Sequence, residues 1–375
     1  MSPKPYLHLI KSQAEFKKNF VDEEAPLFAE LKNEPASKWG RKELFACRVL
    51  PKQGDHNLPC LESFKFTERF TTDQMKAFID GPKDPADLGG SELALVKKYG
   101  HSLGQLWAAL AAFTGPPERR KPFSPPDEGS GGGDNGNNDD DGNNNGGGGD
   151  GARWPKRARH STQQQGFVDS STLKFESNSP IPSSQGSQGS LGYVDAESHA
   201  LAAGPEDDTL RLITCALRHV LYFAPPNNEP NAAAVVEVRD AKIRLDNNIG
   251  IRSLVAVDDG GLCLREPQIF EHRRSDGSLC QRTVYTTANN HVLMLETKRM
   301  LQCLPQGVPI ISDACLAQMT CQALSCRIDN SGRDSVIILH AAQNYVCFVQ
   351  FDMSTDYLLG LSPEKWKDLF RKYTV

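Results

Sequence analysis

Apolar positions along the chain fall into three regimes. Over residues 1–115 they recur at helical spacing: Phe16 with Phe20, then Leu27, Phe28 and Leu31, then Leu93, Leu95, Val96 and Tyr99. Ser91 fits an N-cap for the third group, and Gly100 fits its stop. Ser102 and Gln105 read as a capping box ahead of the stripe Leu103, Leu106, Trp107, Leu110 and Phe113, which Gly115, Pro116 and Pro117 end. This pattern predicts a small all-α N-terminal domain. From residue 116 to 192 the periodicity vanishes, and Gly, Asn, Asp, Ser, Gln and Pro dominate. Such a stretch cannot bury enough surface to offset the entropy of ordering it, so a disordered linker is expected there.

The third regime, residues 193–375, mixes both periods. Pro205 opens a helix with Glu206, Asp207 and Asp208 in its first turn and Leu210, Ile213, Leu217, Val220 and Leu221 on its apolar face. Short strands are expected at 233–238, 253–257, 262–264 and 284–287, with Asp258-Asp259-Gly260-Gly261 as a turn. The run His291–Lys298 is the strongest strand. A helix is expected from Ser312 to Arg327, a hairpin from Val336–His340 and Tyr345–Phe351, and a last helix over 362–372 with Trp366, Leu369 and Phe370 inward. Helix, strands, helix, strands argues for an α+β or α/β fold.

Composition changes this picture in three places. The chain of 375 residues has room for about two domains. Its 47 acidic against 42 basic residues exclude a globally basic nucleic-acid coat but leave room for a local site. No apolar run reaches the roughly 18 residues of a transmembrane helix, and the first residues lack a secretory core, so no membrane partner is expected. The ten cysteines form no Cys-x-x-Cys pair; zinc is not expected, and buried thiols in a reducing compartment are. Within the linker, Lys156, Arg157 and Arg159 follow an acidic block and predict contact with a nuclear import carrier, hence a nuclear protein, otherwise a cytoplasmic one.

Candidate chemistry concentrates in Val-Leu-Met-Leu-Glu-Thr-Lys at 292–298. Alternation puts Val292, Met294, Glu296 and Lys298 on one strand face, with Glu296 and Lys298 about 7 Å apart along the strand. Ionised groups beside a core are costly unless paired or bound to a metal. An apolar strand ending in Glu-x-Lys, preceded by a helix and a hairpin and followed by a helix, resembles the PD-(D/E)xK nuclease superfamily, whose fold is a restriction-endonuclease-like central sheet flanked by helices. Residues 193–350 resemble fungal proteins that carry such a domain. The resemblance implies magnesium-dependent cleavage of nucleic acid phosphodiesters. Glu296 and the upstream acid, Asp258, would hold Mg2+. Lys298 would act on water, and Gln318 would match a glutamine found on the following helix in some branches. Asp259 and Glu271 are alternative acids. Two departures stand out: Val257 occupies the place of the motif's proline, and an insertion over 265–290 separates the acid from Glu296. A catalytically inactive nuclease-fold scaffold, an interaction protein in the nucleus, is the rival expectation.

Overall fold

The computed structural model describes residues 4–52, 58–62, 72–114, 167–168, 206–224, 234–273, 278–303, 309–330 and 332–361. The linker expected at 116–192, with Lys156, Arg157 and Arg159, lies outside them apart from 167–168, as does the helix expected over 362–372.

Helices α1 (Tyr6–Leu9), α2 (Gln13–Asp22), α3 (Arg41–Ala46), α4 (Asp73–Asp80), α5 (Glu92–Tyr99) and α6 (His101–Thr114) precede α7 (Glu206–Phe223), α8 (Asp313–Asp329) and α9 (Thr355–Gly360). The strands are β1 (Phe167–Val168), β2 (Val235–Arg239), β3 (Arg244–Ile249), β4 (Arg252–Val257), β5 (Gly261–Arg273), β6 (Leu279–Lys298), β7 (Leu301–Cys303), β8 (Pro309–Ile310), β9 (Ser335–Ala342) and β10 (Tyr345–Asp352). The result is an α+β architecture. Its main sheet runs β10-β9-β6-β5-β2, with β3-β4 and β1-β7-β8 as separate small sheets. Neighbours in the main sheet are antiparallel except β6 and β9, which are parallel. A parallel pair needs a crossover, and α8 supplies it.

The central strand sets the layers. Met294 packs with Ile338 against α8, whose residues are buried from Cys315 to Arg327 except Gln318. Leu293 and Leu295 point the other way, packing with Leu339, Ala341 and Ile213 of α7. Ser312 caps α8 as its sequence predicts, accepting a hydrogen bond from Cys315 N at 3.2 Å. Ser102 takes a different part: α6 begins at His101, and Ser102 Oγ lies 2.9 Å from His219 Nδ1 of α7.

The N-terminal helices share their cores with the C-terminal elements. Tyr6, Ile10, Phe16, Phe28 and Phe45 share one buried cluster with Leu245, Leu254, Met294 and the apolar residues of α8. Leu88, Leu95, Leu103, Leu106 and Trp107 share a second with Leu212 of α7. Polar contacts seal the first contact: Asp313 of α8 accepts from Tyr6 N at 2.7 Å and pairs with Arg41, and Tyr357 Oη donates to Cys47 O at 2.6 Å. The N-terminal segment therefore covers both helical layers of the sheet. The apolar stripes of residues 1–115 pack on one another and also on α7 and α8, so both cores are shared with the C-terminal elements.

Candidate functional site

The C-terminal end of β6 delivers Glu296 and Lys298 to the edge of the buried layer. Glu296 is wholly buried and ion-paired with Lys298, whose side chain is 28% exposed. Gln322, two turns into α8, donates Nε2 to Glu296 Oε2 at 2.5 Å and to Val257 O at 3.0 Å. Lys298 Nζ also lies 3.8 Å from Glu206 Oε1, in the first turn of α7.

The upstream acid arrives on the turn before β5, and that turn is built to hold it. Arg239 grips Asp258 through two hydrogen bonds, of 3.1 and 2.6 Å, and donates a third, of 3.0 Å, to Gly260 O. Ile243 N donates to the same Asp258 at 2.9 Å. Gly261 has φ 154°, and a Cβ there would lie 2.1 Å from Leu293 O, so only glycine lets β5 start this close to β6. Asp259 N then donates to Leu295 O and Gly260 O accepts from Leu295 N, both at 3.0 Å. Asp259 Oδ2 accepts from Thr297 N (2.9 Å) and Thr297 Oγ1 (2.8 Å), and its Oδ1 lies 2.9 Å from Lys242 Nζ.

Glu206 and Glu296 thus both flank Lys298, and the charge of Asp259 acts on each of them. Burial is the main cause that pushes Glu296 up to about 7; Lys298 opposes the rise and Asp259 adds to it. Burial likewise raises Glu206, with Lys298 opposing and Asp259 adding. Burial works to raise Asp259 too, but the hydrogen bonds from Lys242 and Thr297 outweigh it and hold the group below the usual range. Burial would strip Lys298 of its proton, yet Glu296 more than offsets this, so the ammonium is kept. Behind the site, His340 donates from Nδ1 to Glu296 O across 3.2 Å. Burial lowers its pKa to about 4, so the ring is neutral.

The structure brings together Glu296 and Lys298 as the alternation of β6 implies. It sends Asp258, Gln318 and Glu271 elsewhere. Asp258 is buried against Arg239 with both oxygens taken, and His291 Nε2 is a further 3.6 Å away; the acid beside Glu296 is Asp259. Gln318 is half-buried one turn before Gln322, and the amide that reaches Glu296 belongs to Gln322. Glu271 is exposed near the far end of β5, where Gln281 Nε2 reaches it at 3.5 Å. Sequence reasoning missed Glu206, which looks like an ordinary first-turn acid suited to the helix dipole, and Lys242. The doublet Asp258-Asp259 was the available signal for the upstream acid. Neighbours in extended chain point to opposite sides, so only one of them can face Glu296.

Glu206, Asp259 and Glu296 offer oxygen alone, the donor type of hard cations such as Mg2+, which is held by one or two carboxylates while keeping several waters. Among the described residues no group of three or more His, Cys, Asp or Glu is placed to hold a metal ion. The Asp259 charge raises both glutamates, a strain that an added cation would relieve. No family model, no curated protein and no solved structure matches the chain. No helix among the described residues is long and apolar enough to cross a membrane.

Proposed function

We propose that the chain is a magnesium-dependent nuclease-like protein whose site hydrolyses nucleic acid phosphodiesters. The observation that carries this reading is the buried ion pair of Glu296 with Lys298 at the end of β6, with Asp259 held by Thr297 of the same strand end. Glu296 and Asp259 would hold the ion, with Glu206 beside them. The ion, when bound, supplies positive charge for the phosphate and lowers the pKa of a water. The chain's own residues do the rest. Lys298 stays protonated and presents a cation to the negative charge that grows on a phosphate under attack. Gln322 fixes the orientation of the Glu296 carboxylate. The Arg239–Asp258 pair holds the turn that carries Asp259.

A second reading, a catalytically silent scaffold with the same fold, has one observation in its favour: Glu296 is wholly buried, with Lys298 and Gln322 closing its carboxylate. Incubation of the purified chain with single- and double-stranded DNA and RNA separates the two. Cleavage with Mg2+ or Mn2+, stopped by EDTA and lost in Glu296→Gln and Lys298→Met, supports the nuclease. Absence of cleavage on every substrate, with no effect of either metal on the chain, leaves the scaffold.

A further inference from the structure

A groove of about 810 Å³ opens on the α8 side of the main sheet, along its edge strand β10. Val49 and Leu50, Val349 and Phe351 of β10, and Leu316 of α8 with Ile310 give it apolar walls. Covering such walls is favourable, so the groove invites an occupant. The described chain ends at its rim. Tyr357 of α9 lines the groove and donates from Oη to Cys47 O at 2.6 Å. Arg48, also in the lining, donates to Gly360 O at 3.3 Å. These two bonds tie α9 to the groove wall. Leu361, the last described residue, is 1% exposed, so residues 362–375 begin beside the groove.

We propose that residues 362–375 dock in this groove as an amphipathic helix and close the α8 layer. Their sequence suits the place. Pro363 fits a first helical position, and Trp366, Leu369, Phe370 and Tyr373 follow at i, i+3, i+4 and i+7, one face of a helix. Every charged residue from Glu364 to Lys372 falls about 100° or more from the middle of that stripe. Tethering selects this occupant over a separate partner. A segment joined so closely to its site has an effective concentration on the order of millimolar, which a free protein seldom reaches. The other chain beside the groove is committed elsewhere. Residues 63–71 follow Glu62 of the lining but must lead to Thr72, which donates to Phe223 O of α7, the helix on the opposite face of the sheet.

Limited trypsin digestion of the full chain tests this, with cuts after Lys365, Lys367, Arg371 and Lys372 followed by mass spectrometry. Trp366→Ala with Phe370→Ala should speed these cuts about tenfold or more over wild type, because proteolysis follows the population of the open form. Leu50→Arg with Phe348→Arg, at groove positions 46% and 52% exposed, should do the same from the other side of the contact, with an unchanged circular dichroism spectrum. A labelled peptide of residues 362–375 should bind the Trp366→Ala, Phe370→Ala chain, whose groove is vacated, and not the wild type. Cuts as fast in wild type as in the variants overturn the proposal, and so does slow cutting that survives the groove substitutions. The peptide decides without the groove variant: binding to wild type as tight as to the Trp366→Ala, Phe370→Ala chain, or binding to neither, also overturns it. A wild-type dimer in sedimentation velocity that the groove substitutions abolish and the Trp366→Ala, Phe370→Ala pair leaves intact makes the occupant a second copy and overturns it as well.

Discussion

Asp258 and Asp259 are adjacent, yet their carboxylates enter different surroundings: one meets a buried guanidinium, the other the amide and hydroxyl of Thr297 at the end of β6. Asp258→Asn should therefore cost about 3–5 kcal/mol in chemical denaturation, because it leaves Arg239 buried without its counter-charge. Asp259→Asn should cost only about 1 kcal/mol, the scale of one hydrogen bond, while weakening metal binding. Glu296 adds a pH signature. Its folded pKa, about 7, lies above the ordinary carboxylate value of 4.5, so the folded state holds a proton that the unfolded chain has released. Its contribution to stability is full below pH 4.5 and is lost as pH rises through 7. Denaturant titrations across that window should show a decline that Glu296→Gln flattens, and divalent-metal affinity should rise over the same window, because the ion competes with the proton. At this scale the sequence revealed the strand face shared by Glu296 and Lys298, which strict alternation dictates. It hid Gln322, because that amide sits on a helix buried on nearly all sides, where no polar flank marks the direction of the site.

Among the elements, β6 was most legible where it is apolar on both faces. Its outer part, 279–290, is half of an exposed ribbon with apolar and charged residues on both faces, so only the short strand at 284–287 was expected there. β3 was invisible for another reason. Its buried residues, Leu245 and Ile249, are four apart, a spacing closer to a helix than to a strand. α7 and α8, by contrast, announced themselves through capping and periodicity, and both run within a few residues of their expected ends. The element most exposed to a single change is the start of β5. Gly261→Ala forces a Cβ onto Leu293 O and strains φ, so it should destabilise by about 1–3 kcal/mol and disturb the site with it. Amide hydrogen exchange at 293–297 would register the shift; unchanged protection there would mean that β5 and β6 need not approach so closely.

For the molecule as a whole, helical spacing identified the apolar stripes of residues 1–115 but not what covers them. Amphipathicity gives the direction of burial, not the partner, and the partners turn out to be α7 and α8. Fragments 1–115 and 193–375, expressed apart, should therefore be poorly folded, and together should co-purify as one unit. Two independently folded, non-associating fragments would contradict the shared core. Phe45→Ala, at the centre of that core, should cost about 3–5 kcal/mol and lower the stability of the sheet along with that of the N-terminal segment, in a single unfolding transition.

Asp259 and Glu296, at the open end of the β5–β6 hairpin, are proposed to form one cation site beside Lys298. Calorimetric titration of Mn2+ into the full chain at mildly alkaline pH tests it most directly. The account predicts saturable binding that Asp259→Asn and Glu296→Gln each weaken by about tenfold or more, with Lys298→Met leaving it largely in place. A wild type that takes up no Mn2+, or binding indifferent to both carboxylate variants, would contradict it.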